Sequence, residues 1–569
     1  MKFSTLRNST LALFTLSAAP PFALAQELLM QIYGRPADFS QGTGQDALMG
    51  VFHVGDLNGD SVDDFVVTGR VGPNYRGFYQ VYSGATLSPL NPRMSYNQFS
   101  FIGDHVEAVG DVNGDGRINL ALSEVIGDHS PIIVDWETGA VVATADSSMS
   151  PSATPGYRGA PLGDINGDGY ADWASGTQSN EGVVIHLGPD ARDHAQIYGH
   201  GSGGLCSPGD LNGDGIADLV IGSGAYNEIV ALSMPSVQVL YTIDGDYDPS
   251  FGTERLGASL DAIGDIDGDG IGDFVAGAAY IGAPSPSSSF PHRGAIVLYS
   301  GASGEVIRRI PGPVGRAPLT HWGLPADNGS FGTYVQSEGD INGDGYNDIL
   351  VGSHNRWYFE EKHGAETIVS GKTGEILFDL ELMDQQDPLT SNYGLGGAIL
   401  GDLTGDGLAE FAIVGFGDWT QGFDTGVIHI FKGFRTDAES GCTPTPHSGG
   451  VAASFRFDGA ISLSRERLWA QVFDAPAHSF GLFFGQPGAS DLPAGPHGLC
   501  VHGPGAQRIT PVVPIDAAGS IDIELDVTGY AGNGTWLAGT QWTLQAIFRD
   551  AGSPSGGGTT NSKIVRWAL

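Results

Sequence analysis

Aspartate and asparagine recur in this chain at a spacing suited to holding a hard cation. In GDLNGDGIADLVIG, from Gly209, oxygen-bearing side chains stand at the first, third, fifth and ninth places counted from Asp210, and glycine stands at the sixth. Calcium takes six to eight oxygens at about 2.3–2.6 Å and accepts carboxylates, amides and a backbone carbonyl together. A glycine at the sixth place lets the chain reverse so that the seventh residue can offer its carbonyl. The chemistry indicated is metal binding.

The phrase occurs seven times. Its candidate ligands, with the seventh-place residue contributing only its carbonyl, are Asp56, Asn58, Asp60, Val62 and Asp64 in the first copy and Asp111, Asn113, Asp115, Arg117 and Asn119 in the second. The third and fourth copies supply Asp164, Asn166, Asp168, Tyr170 and Asp172, then Asp210, Asn212, Asp214, Ile216 and Asp218. The fifth has Asp265, Asp267, Asp269, Ile271 and Asp273, and the sixth Asp340, Asn342, Asp344, Tyr346 and Asp348. The seventh has Asp402, Thr404, Asp406, Leu408 and Glu410. These places carry 21 of the 65 acids, so much of the net charge of −39 is ligand rather than diffuse surface. Three copies depart from the pattern: Ser61 replaces a glycine, Asn119 replaces an acid, and Thr404 with Glu410 replaces the Asn/Asp pair. Those three sites are expected to be weaker or empty.

Runs of Asn, Asp and Gly are often only turns. One copy would leave that reading open; seven copies at fixed ligand spacing do not. A helix–loop–helix calcium site is excluded as well. It needs an acid at the twelfth place, where this chain has Val67, Leu122, Ser175, Ile221, Ala276, Val351 and Ile413. Each loop instead runs into a short β-branched stretch such as FVV, LVI or DIL bounded by glycine, which reads as a buried strand.

The elements that hold the loops are therefore strands. Loop starts are separated by about 58 residues on average, a period that points to a propeller or a solenoid. Eighty-eight glycines against 26 Lys plus Arg fit a turn-rich, all-β chain. After a loop a typical copy runs through three strands, as in DWASG, GVVIHLG and AQIYGHG of the third copy. The seventh copy supplies EFAIVG and GVIHIFKG and then stops. The missing strand is present at the other end: LLMQIYG (28–34) repeats the QIYG of 196–199, so the N-terminal segment is expected to complete the last blade.

At this point the chain resembles the FG-GAP repeats of integrin α-subunit propellers and their bacterial relatives, over about residues 26–436. Phe251-Gly252 and Phe331-Gly332 match the "FG" element, Tyr393-Gly394 is a looser copy, and Gly277-Ala278-Ala279 is a degraded "GAP". The resemblance implies a seven-bladed β-propeller with Ca²⁺-binding hairpin loops between inner strands, on one face, with up to seven sites.

Residues 1–25 read as a signal peptide: Lys2 and Arg7, an apolar LALFTL, then Ala23-Leu24-Ala25 before Gln26. No later stretch is apolar for long enough to span a bilayer, so a secreted or envelope-associated chain is expected. Losing Lys2 and Arg7 takes the charge to −41, which repels phosphate backbones and argues against a nucleic-acid partner. Residues 437–449 read as a linker and 450–569 as a small β-sandwich, from alternating stretches such as SIDIELDV and QWTLQAIF. Three cysteines, Cys206, Cys442 and Cys500, allow one bridge, for which the two tail residues are the expected pair.

Nucleophile-elbow, zincin and P-loop patterns do not occur in the sequence. One polar–aromatic cluster, SHNRWYFEEKHG (353–364), reads as a hairpin at the rim that could stack on a sugar or grip a protein. The function expected is a binding or adhesion module for an extracellular glycan or protein. The alternatives are a secreted hydrolase or lyase on polysaccharide or phospholipid, and a purely structural envelope protein.

Overall fold

Each oxygen-rich phrase forces a tight reversal, and the apolar stretch behind it can only run back along the strand before it. In the fourth copy Leu205–Gly209 enters the loop and Asp218–Ser223 leaves it, followed by Glu228–Ser233 and Gln238–Asp244. The four pair antiparallel in sequence order. The second strand is buried along its whole length, whereas the fourth alternates between partly buried and exposed. That gradient explains why the post-loop stretches read as unbroken apolar runs.

The computed structural model describes residues 28–34, 46–71, 76–100, 102–124, 131–144, 155–177, 182–198, 203–248, 252–279, 294–312, 331–353, 357–358, 361–362, 365–379, 396–415 and 426–434. In the C-terminal part it describes 454–458, 468–473, 480–487, 507–508, 513–515, 521–525, 541–549 and 557–566. The proposed signal peptide, the linker, Phe251, Tyr393-Gly394, Cys442 and Cys500 lie outside these residues.

Seven four-stranded sheets follow this plan. Their first strands are Asp46–Gly55, Ile102–Gly110, Pro155–Gly163, Leu205–Gly209, Leu256–Gly264, Phe331–Gly339 and Gly397–Gly401. Each contacts the next in order, and the last returns to the first. The result is a closed seven-bladed β-propeller with its first strands around the axis. Apolar layers fill the space between blades: Leu162, Ile185, Leu205, Leu219 and Leu232 join the third to the fourth.

The seventh blade takes its outer strand from the N-terminal segment. Leu28–Tyr33 pairs antiparallel with Val427–Phe431, with Gln31 opposite His429 and Tyr33 opposite Val427. The matching Gln196 and Ile197 end the outer strand of the third blade, opposite Val184 and Val183. The sequence match therefore marks one structural place in two blades. Ile32 enters a layer with Leu48, Phe65, Val414, Ile428 and Ile430 that joins the last blade to the first.

The FG and GAP residues have a shared steric role. Gly332 adopts φ of +89°, a left-handed conformation that favours glycine, and a Cβ on Gly277 would stand 1.9 Å from the Gly332 carbonyl oxygen. Ser259 Oγ donates to that same carbonyl at 2.8 Å. Two backbones of adjacent blades thus meet where no side chain fits. The same close approach recurs between Gly222 and Gly257.

Residues 27–439 with 456–459 form one compact unit and the C-terminal remainder belongs to a second. In the C-terminal part, Ser454–Asp458, Leu468–Phe473 and Ile521–Leu525 form one sheet. Phe480–Pro487, Gln541–Arg549 and Gly557–Arg566 build another, with the short strands Gln507–Arg508 and Val513–Pro514 on Phe480–Pro487.

Candidate metal centre

The loops are shaped by their own side chains. Asp210 Oδ1 accepts from the N–H groups of Gly213 (2.7 Å) and Asp214 (3.1 Å), and its Oδ2 accepts from Gly215 (2.7 Å). Asn212 Oδ1 accepts from Asp214 N–H at 2.9 Å, and Asp214 Oδ1 from Ile216 N–H at 2.9 Å. The first-place aspartate makes the same three bonds in the other six loops, for example Asp56 to Gly59, Asp60 and Ser61, and Asp402 to Gly405, Asp406 and Gly407. These bonds, led by that of Gly215, hold the Asp210 carboxyl below its ordinary range against the opposing effect of burial.

Glycine is required here for conformation, since a Cβ on Gly213 or Gly215 would meet nothing within 4 Å. Both have positive φ, +81° and +88°. Ser61 adopts φ of +70° without being glycine, at a cost of about 1 kcal/mol.

The ninth-place residue has a second role that the sequence reading missed. Asp64, Asn119, Asp172, Asp218, Asp273, Asp348 and Glu410 are all fully buried. Asp218 Oδ2 accepts from Leu211 N–H at 2.9 Å inside its loop, and Oδ1 accepts from Met234 N–H at 3.0 Å, beyond the third strand. Asp172 likewise joins Ile165 to Gly188, and Asp273 joins Ile266 to Gly301. This carboxylate clamps the loop onto the rest of its blade. Burial raises Asp172 to about 6; burial, with the charges of Asp344 and Asp340 adding to it, raises Asp348 to about 8. An ionised acid at this place calls for a countercharge.

The donor set is oxygen throughout, the set a hard divalent cation prefers. In the fifth loop carboxylate oxygens of Asp265, Asp267 and Asp269 lie within 4.8 Å of one another; in the seventh, those of Asp402, Asp406 and Glu410 do. Asp273 is not part of the first group, whereas the longer side chain of Glu410 joins the second. Third-place groups divide by partner. Asn113 and Asn166 donate to the fifth-place carboxylate, Asn58, Asn342 and Thr404 to the ninth, and Asn212 to Ser233 Oγ. The residues present fit a cation, with unequal donor sets.

Two further clusters were not singled out in the sequence. The first strands bring His53, His105, Glu107, Arg158, Asp261 and Glu338 from five blades to the axial region. His53 Nδ1 lies 2.9 Å from Glu338 and its Nε2 3.1 Å from Asp63; His105 Nε2 is 3.4 Å from Glu107. Burial alone would lower the His53 pKa, but its bonds to Asp63 and Glu338 outweigh that and carry it to about 10. Burial, with the Glu338 charge, pushes Glu107 and Asp261 well up. The available signal was polar residues three or four places before the GD of a phrase or the aspartate that follows it, as at Glu107 and Asp261. Nothing local says that they meet.

The second cluster has Ser175 Oγ 2.7 Å from His186 Nε2 and His186 Nδ1 3.1 Å from Asp193. Trp173 stacks on the imidazole at 5.0 Å. This is the order of groups used in nucleophilic hydrolysis, but all three side chains are buried and closed to a substrate. The place occupied by Trp173 and His186 holds stacked Phe65–Tyr82, Phe274–Tyr299 and Phe411–Phe431 in other blades. The cluster is a polar tie between strands of the third blade.

Of the rim cluster, Trp357–Tyr358 pairs with Glu361–Lys362 as a short hairpin.

The family model "FG-GAP repeat" matches residues 207–233, which span the fourth loop and the second and third strands of its blade. Integrin alpha-5 of Xenopus laevis is 31% identical over 99 residues, 17% of this chain and 8% of the relative. Integrin alpha-X of Mus musculus is 32% identical over 115 residues, 20% and 9% respectively. The chain thus spans less than a tenth of the length of these relatives. Among solved structures, the Cps50 (Swd1) β-propeller domain of Myceliophteria thermophila covers 72% of this chain and 99% of its own, at 10% identity and a TM-score of 0.41. At that score the likeness carries no weight, and the propeller rests on its own seven sheets.

Proposed function

Taking this chain as an integrin α-like FG-GAP repeat β-propeller, we propose that it is an exported, calcium-stabilised binding module for an extracellular glycan or protein. The observation that carries this reading is the loop itself: an oxygen-lined reversal repeated between the first two strands of every blade of a closed ring. The side chains at places one, three and five, the carbonyl at place seven and the acid at place nine would hold the ion. When bound, Ca²⁺ supplies positive charge to carboxylates that otherwise repel one another. The chain's own residues already bend the loop, so little ordering remains to be done on binding.

Rigid loops on one side leave ligand capture to other connections between strands. The hairpin around Trp357 and Tyr358 has the aromatic content of a contact surface. The test is a screen of the purified chain against glycans and surface proteins with and without free Ca²⁺, followed by the double substitution Trp357→Ala and Tyr358→Ala. The expected result is loss of capture with the melting temperature unchanged. Sustained turnover of a polysaccharide or phospholipid would overturn the binding-module reading, and so would capture of no ligand at all; capture indifferent to both aromatics would remove Trp357 and Tyr358 from the contact surface.

A further inference from the structure

The seven loops share one backbone but not one donor set, and the second stands apart. Its ninth-place residue is Asn119, fully buried. Asn119 Oδ1 accepts from Val112 N–H at 3.0 Å, the bond that the acid makes in the other loops. In the first and third to sixth blades the other carboxylate oxygen accepts an N–H from beyond the third strand. In Asn119 that second atom is an NH₂ group, which cannot accept, and it has no hydrogen-bond partner. Where six loops place an acid, this loop turns a buried donor.

The rest of the loop is consistent with this. Only Asp111 and Asp115 supply carboxylates, against three or four in every other copy. Asp111 and Asp115 keep the hydrogen bonds common to the loops, with Asn113 donating to Asp115 as Asn166 does to Asp168, so the backbone turn is intact and only the charge is reduced. Arg117, at the seventh place, brings a positive charge to the loop and pairs with Glu137. The third loop braces the turn: Ala171 N–H donates to the Asp111 carbonyl at 2.9 Å, and the Tyr170 ring lies over Gly114. Ala409 N–H donates to the Asp340 carbonyl of the sixth loop in the same way, so what sets the second loop apart is one acid fewer and the Arg117 cation.

We propose that the second loop closes without a cation, so that the chain holds one ion fewer than its seven loops, and that Asn119 is the residue that excludes it. The proposal rests on the calcium reading above. It makes Asn119 a structural residue and the second loop a fixed corner of the ring whose shape does not follow calcium concentration.

The test is the calcium content of the full chain, measured by equilibrium dialysis, for the parent and three variants. Asn119→Asp is expected to gain one ion. Asp111→Asn, in the same loop, is expected to leave the count unchanged, whereas Asp210→Asn, in the fourth loop, should lose one. Loss of an ion in Asp111→Asn would overturn the proposal, and so would an Asn119→Asp chain that gains none. If parent and variants alike bind no calcium, the calcium reading fails and this inference falls with it. That outcome is distinct from a parent that binds calcium at all seven loops.

Discussion

Removing the N-terminal strand should open the ring. The perturbation is deletion of residues 26–38, which strips Leu28–Tyr33 from Val427–Phe431. Ile32 is only 6% exposed, and burying an isoleucine side chain is worth about 1.5–3 kcal/mol. Leu29 and Met30 cover the same layer in part, adding about 1–2 kcal/mol on the same scale. The lost ladder contributes about 0.5–1.5 kcal/mol for each hydrogen bond. The side-chain terms alone come to about 2.5–5 kcal/mol, and a few ladder bonds bring the loss to a size comparable with the whole stability of many domains. The bared Val427–Phe431 edge would also be free to pair with another chain. Urea unfolding and size-exclusion chromatography read the two effects separately. Two point variants guard against a general loss of folding: Ile32→Ala should cost about 2–4 kcal/mol, and Tyr33→Ala, 60% exposed, less than about 0.5 kcal/mol. A synthetic LLMQIYG peptide added to the truncated chain should restore part of the loss. A truncated chain that stays monomeric and unfolds like the parent would refute the closure, as would equal costs for the two point variants.

Free Ca²⁺ should raise the melting temperature, each site held at a hundred times its dissociation constant contributing about 2.7 kcal/mol; chelation without effect would contradict this. Asp214→Ala should be costly only with calcium present, because that side chain is exposed, whereas buried Asn119→Ala should cost about 1–3 kcal/mol in chelator as well. His53 has a folded pKa raised to about 10, so its contribution is complete below pH 6.5 and is lost progressively as pH rises from there through 10. Unfolding measured from pH 6 to 10 should show that decline in the parent and a shallower slope in His53→Gln, with Asp63, Glu338 and Glu107 the acids that face the ring. Gly277→Ala should destabilise by at least about 2 kcal/mol, since its Cβ would meet a backbone carbonyl that cannot move aside without shifting the next blade; thermal melting checks it.

The loops were legible because the interactions that shape them are short in sequence. Asp210 bonds to residues three, four and five places on, so spacing alone encodes the turn. Strand order within a blade followed from the repeat, and the closing strand from four residues, QIYG, that occupy one structural place twice. The ninth-place acid was read as a ligand only. Its bond to Met234, sixteen residues away, depends on the pairing of the second and third strands and on complete burial, neither of which spacing reports.

What the sequence determined by itself is the repeating unit: a glycine-hinged oxygen loop, the buried strand behind it, and the count that makes a ring. What only the tertiary structure decided is which of those groups share a space. His53, Glu107, Arg158, Asp261 and Glu338 come from five blades and meet only because the first strands converge on one axis. Ser175, His186 and Asp193 meet because three strands lie side by side. Local hydrogen bonds act over a few residues and are written in spacing. Burial and charge coupling depend on distance through space, which closing the ring fixes.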